Sequence, residues 1–137
     1  MNSAFLETSM LLNVVFHEAG CEQNAKELKA AERLVASRLL RVEAERALLR
    51  LGAKKPEALV PIAEFRNELD RFLASISFFE ITRDICDLAA RLAPNAELRT
   101  LDAIHLATFL KAKQFEPRLK ILSCDKRILG ALQEKES

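Results

Sequence analysis

Short apolar runs alternate along the chain with longer stretches in which apolar residues return every three or four positions. The runs AFLE (4–7), RLVAS (33–37), FFEIT (78–82) and KILSC (120–124) have strand length and are predicted as strands. Helical periodicity predicts helices over about 9–19, 24–32, 38–51, 57–75, 83–93, 100–114 and 126–135. Start signals support several of these. Ser37 precedes LLRVEAERALLRL as a cap, Pro56 and Pro61 suit first helical turns, and Thr100 precedes LDAIHLA. The segment 53–75 reads as two consecutive helices, because Pro61 starts or kinks a helix rather than lying inside one. Strands that alternate with helices imply parallel pairing, right-handed crossovers and helices on both faces of the sheet. The expected fold is therefore α/β: a three-layer α/β/α sandwich with a short parallel sheet, formed as a single domain over residues 1–137.

Composition narrows the class. With 137 residues, half of them hydrophobic, the chain can bury one sizeable core. Lys and Arg number 21 against 20 Asp and Glu, which excludes a strongly polybasic binder and leaves local patches open. Cys21, Cys86 and Cys124 show no C-x-x-C spacing and are expected to be core-type thiols in a reducing compartment. The N-terminal stretch lacks a basic signal region, and no apolar run approaches the roughly 20 residues of a membrane span, so a cytoplasmic protein is expected. No Gly-rich phosphate loop or nucleophile motif supports a small-molecule α/β enzyme. Trp and Tyr are absent, and no basic and aromatic RNA-recognition signature is visible.

Four carboxylates stand out once the elements are drawn. In an open parallel sheet, chemistry collects beyond the carboxyl ends of the strands. Glu7 ends the first predicted strand and Asp125 follows the last. Glu43 lies in the second turn of the helix after strand 33–37, and Asp102 in the first turn of the helix that begins near Thr100. All four are expected at one edge. At about 100° per residue, Glu43 falls within the apolar stripe of Leu40, Ala44, Leu48 and Leu51 and needs a partner there; a salt bridge to Arg46 or Arg50 is one alternative. For Asp102 the helix dipole, and for Asp125 a helix N-cap, are alternative explanations. Glu7, followed by Thr8 and Ser9, has no evident capping duty. Acids gathered at one site repel each other unless cations compensate, and oxygen-only ligands favour Mg²⁺ or Mn²⁺. Such ions serve phosphodiester hydrolysis, which points to a nuclease. His105, three residues after Asp102, is read as a core histidine hydrogen-bonded to its neighbours rather than as a metal ligand, and His17 as a helix-end residue. Lys126 and Arg127 either touch substrate phosphate or form a solvated helix start.

FLETSMLLNVV, SRLLRVEAERALLRL, LRTLDAIHLAT and ILSCDKRILGAL together resemble the PIN-domain family, in particular VapC-type toxins of toxin–antitoxin pairs. The resemblance implies an α/β/α fold, a Mg²⁺- or Mn²⁺-dependent endoribonuclease acting on RNA, a homodimer and a small antitoxin partner. By the same resemblance Glu43, Asp102 and Asp125 match the family's second, third and fourth acids, and Ser9 its small hydroxyl residue beside the first. Glu7 departs from the pattern, because the family normally has Asp-Thr-Ser where this chain has Glu7-Thr8-Ser9. One added methylene shifts the carboxylate by roughly an ångström, against a catalytic tolerance of about half an ångström. Two readings follow: a ribonuclease in which Glu7, Glu43, Asp102 and Asp125 bind the metal, or a catalytically impaired PIN-like protein-binding module. The stretches LLNVVF and ALVPIAEFRNELDRFL are expected to offer apolar surface to protein partners.

Overall fold

The computed structural model describes residues 2–54 and 60–136. The chain runs β1 (Ser3–Leu6), α1 (Thr8–Val15), α2 (Cys21–Ala30), β2 (Arg33–Ser37), α3 (Arg38–Lys54), α4 (Ile62–Ser75), β3 (Ile76–Phe79), α5 (Arg83–Arg91), α6 (Thr100–Phe115), β4 (Lys120–Leu122) and α7 (Lys126–Glu136). The four strands pair in parallel in the order β3-β2-β1-β4. Phe5 of β1 is in register with Val35 on one side and Ile121 on the other.

Period-two alternation distributes the strand residues between two cores. Ala4, Leu6, Leu34, Ala36 and Ile76 turn to one face, where they pack with Leu11 and Val15 of α1, Leu28 of α2, Leu40 and Leu48 of α3, and Leu69 of α4. Phe5 and Val35 turn to the other, against Ile85 of α5, Leu106 and Phe109 of α6, and Ala131 of α7. The Phe5 and Phe109 rings meet edge to face at 5.5 Å. Burial of each such large side chain contributes about 1.5–3 kcal/mol.

Handedness explains the layering. From β1 through β2 to β3 the chain steps one way across the sheet, and right-handed crossovers place α1 to α4 on a single face. The crossover from β3 to β4 steps back past β1, so the same hand carries α5 and α6 to the opposite face. Adjacent strands β1 and β4 therefore lead into helices on opposite faces, α1 and α7, the arrangement that leaves a crevice at the carboxyl edge.

Several expectations shift in the structure. The third strand was expected at 78–82 and instead follows α4 directly: Ile76 and Phe78 turn to the first core and Phe79 to the second, while Glu80 leaves the ladder to pair with Arg38 at 2.6 Å and Ile81 is exposed. Helix α1 ends at Val15, because the chain turns through His17 (φ 54°) and Gly20 (φ 82°), held by Asn13 Nδ2 donating to the Ala19 carbonyl at 2.9 Å. Gly20, without a Cβ, tolerates the left-handed conformation that starts α2 three residues ahead of expectation. Leu11, Val14 and Val15 of LLNVVF, and Phe65, Leu69 and Leu73 of the later stretch, are buried in the first core, so these segments largely complete the fold itself. The cysteines are not core thiols: Cys21 is half-buried and Cys86 and Cys124 are exposed, since each stands at a helix start, on an outer helix face or in a loop. Pro56 and the start of the helix expected over 57–75 lie outside the described residues. Among the described residues no helix is long and apolar enough to cross a membrane.

Candidate active site

The carboxyl ends of β1 and β4 are stitched together by short polar side chains. Past the end of β1, the Glu7 N–H continues the ladder by donating to the Leu122 carbonyl at 3.0 Å. The Glu7 carboxylate, only 4% exposed, accepts the Ser9 N–H at 3.1 Å on Oε2 and, on Oε1, the hydroxyls of Ser9 and of Ser123, the latter at 2.6 Å. Glu7 is thus the N-cap of α1 and a clamp between the two strands. This corrects the expectation that it has no capping duty: its extra methylene lets the carboxylate fold back over the first helical turn. Ser9 Oγ also accepts the Cys124 N–H at 2.9 Å, and Ser123 Oγ accepts the Asp125 N–H at 3.0 Å. The clamp therefore fixes the backbone on which the last acid stands.

Glu43 projects from the buried stripe of α3, where Leu40, Ala44 and Leu48 are in the core. Ser37, as expected, caps that helix, its Oγ accepting the Leu39 N–H at 3.1 Å. Glu43 is not paired with Arg46 or Arg50, which are exposed; its Oε1 accepts the Thr8 hydroxyl at 2.7 Å and is hydrogen-bonded by His105 Nε2 of α6. Burial pushes the Glu43 carboxyl up, but the hydrogen bonds from His105 and Thr8 outweigh it and hold the group below its ordinary value. The reading of His105 as a hydrogen-bonded core histidine agrees with its 1% exposure.

Asp102 and Asp125 both perform the ordinary helix duties weighed for them. Asp102 accepts the Arg99 N–H at 3.4 Å in the first turn of α6, and Asp125 caps α7 by accepting the Arg127 N–H at 2.8 Å and the Ile128 N–H at 3.4 Å. They nonetheless share one environment. Burial, then the negative charge of Asp125, and to a smaller extent that of Glu43, raise the Asp102 carboxyl above its ordinary value. Lys126 and Arg127 stand exposed beside them at the start of α7.

The PIN-domain family model matches residues 4–131. The chain belongs to the PIN-domain family. Ribonuclease VapC35 of Mycobacterium tuberculosis is 34% identical over 131 residues, covering 94% of this chain and 89% of its own. Ribonuclease VapC46 of the same organism is 33% identical over 108 residues, covering 79% of this chain and 75% of its own. A toxin–antitoxin complex from Klebsiella pneumoniae contains a chain of the same fold, with a TM-score of 0.62, 22% identity, and coverage of 93% of this chain and 91% of that one.

In this PIN domain the donors gathered at the carboxyl ends of β1 and β4 include carboxylate and hydroxyl oxygens, the chemistry that suits a hard divalent cation. The mutual repulsion expressed at Asp102 is what a cation relieves. Among the described residues no three acidic, histidine or cysteine side chains stand close enough to enclose an ion as they are placed. Of the four acids, Glu7 has both oxygens engaged by Ser9 and Ser123. Sequence reasoning missed Ser123 and the role of Thr8. Their signal was adjacency, since each lies one or two residues from a predicted acid.

Proposed function

We propose that this PIN domain is a divalent-metal-dependent endoribonuclease and the toxin of a toxin–antitoxin pair. The observation that carries the site assignment is the meeting of α1, α3 and α6 at Glu43, through Thr8 and His105, one residue along the chain from the Glu7–Ser9–Ser123 clamp; the upward shift of half-buried Asp102, by burial and then by Asp125, supports it. The kinship to ribonucleases VapC35 and VapC46 supports the same reaction class. In this proposal Glu43, Asp102 and Asp125 hold the ion, Mg²⁺ or Mn²⁺, and Glu7, with Ser9 and Ser123, fixes the strand ends that present them. A divalent cation bound there supplies positive charge opposite the scissile phosphate and acidifies water. In this proposal Lys126 and Arg127, exposed at the start of α7, contact backbone phosphates of the RNA.

A second reading is favoured by Glu7. Its carboxylate is committed to the clamp, which fits a domain that has lost an ion ligand and acts by binding protein. Incubating the purified chain with structured RNAs, with Mn²⁺ or with chelator, separates the two. Cleavage that needs Mn²⁺ supports the nuclease. Cleavage that survives chelator, or none even in the Glu7→Asp variant, overturns it. We further propose a homodimer and an antitoxin encoded by a neighbouring gene; such a polypeptide should copurify with this chain and suppress cleavage.

A further inference from the structure

His105 is a buried histidine whose hydrogen-bond partners lie wholly in the acid site. Its Nε2 bonds Glu43 Oε1 and stands 3.3 Å from Thr8 Oγ1, while Nδ1 is buried with no hydrogen-bond partner among the described residues. An ionised carboxylate only accepts, so Nε2 carries the hydrogen. Burying an imidazole costs the hydration of both ring nitrogens, and here Nδ1 recovers nothing. A leucine would fill the same space in α6 without that cost. The polar function of the ring is therefore directed at one oxygen of Glu43.

Thr8 acts on the same oxygen from the other side. It is 5% exposed, stands at the first position of α1, and donates its hydroxyl to Glu43 Oε1 at 2.7 Å. The glutamate is thus gripped by α1 from one layer and α6 from the other. None of the described residues hydrogen-bonds its Oε2.

We propose that His105 and Thr8 are positioning residues for Glu43: they occupy Oε1 jointly and leave Oε2 as the oxygen available to a divalent cation. This inference rests on the nuclease reading in taking Glu43 as an ion ligand. Residues that orient metal ligands in this way typically set metal affinity by about 10- to 100-fold.

The test is calorimetric titration of the full chain with Mn²⁺ alone, with folding checked by circular dichroism. Glu43→Gln should abolish or strongly weaken binding. His105→Leu should weaken it by roughly 10- to 100-fold, and His105→Gln, whose amide N–H can replace Nε2–H, should recover most of the loss. Thr8→Val should weaken binding severalfold while Thr8→Ser leaves it unchanged, and this pair decides the matter should His105→Leu fail to fold. If His105 merely fills the core, the order inverts: leucine keeps the affinity and glutamine, the poorer core residue, loses it. That order, or Mn²⁺ binding that depends on Glu43 and ignores every His105 and Thr8 variant, overturns this proposal alone. A wild-type chain that binds no Mn²⁺ overturns the acid-site reading and this proposal with it.

Discussion

Glu7 carries one methylene more than the aspartate its motif calls for, and the fold uses that length to reach Ser123 across the strand boundary while capping α1. An aspartate caps a helix at least as well but reaches less far. Glu7→Asp should therefore stay within about 1 kcal/mol of wild type in urea unfolding, release Ser123, and raise Mn²⁺ affinity; an unchanged affinity would show that the acid's length does not limit the site. Asp102 and Glu43 should respond to amide substitution with opposite signs. The Asp102 carboxyl is raised in the fold, mainly by burial, so its ionised form is a liability at neutral pH that disappears below its ordinary value of 3.8, where folded and unfolded states are both protonated. Asp102→Asn should melt slightly higher than wild type at pH 7.5 in chelator, lose that advantage on acidification, and melt lower than wild type once Mn²⁺ is added. Glu43 is held low, by hydrogen bonds that outweigh its burial, so its contribution is present above its ordinary value of 4.5 and is lost as pH falls through the folded value. Glu43→Gln should accordingly melt lower at neutral pH and converge with wild type in acid. The helical wheel read Glu43 correctly as inward-facing. It could not name the partner, because His105 lies 62 residues away and only local arginines were within the reach of sequence reasoning.

At the level of elements, caps and chemistry coincide. Asp125 both caps α7 and belongs to the acid group, and a serine separates the two roles, since it caps about as well and carries no charge. Asp125→Ser should keep stability within about 0.5 kcal/mol of wild type while Mn²⁺ binding falls; equal Mn²⁺ binding would leave Asp125 with only its cap. Strand β2 and helix α6 were legible nearly to the residue, because each is a dense apolar run bounded by polar positions. Strand β3 was not. ISFF and FFEIT overlap in composition, and only pairing with β2, where Ile76 meets Leu34 and Phe79 meets Ser37, decides which four residues join the sheet. The end of α1 was hidden for a related reason: the turn rests on a bond from Asn13 to Ala19 and on a left-handed His17, neither of which a hydrophobic pattern encodes.

The whole molecule is two cores sharing one thin sheet, and in the second Phe5, Leu106 and Phe109 are almost completely buried. Phe109→Ala should cost about 3–5 kcal/mol, read as a lower urea midpoint. Light scattering at tens of micromolar should report a dimer, and a strictly monomeric mass would remove that part of the proposal. The strand order has a further consequence for timing. Because β1 pairs with β4, the last strand to be synthesised, the first acid loop waits beside an open edge until residues near 125 have left the ribosome. A nascent chain halted earlier has neither Ser123 to complete the clamp nor Asp125 to complete the acid group. For the nuclease proposed here, this order of synthesis leaves the acid group incomplete until the two strand ends have met.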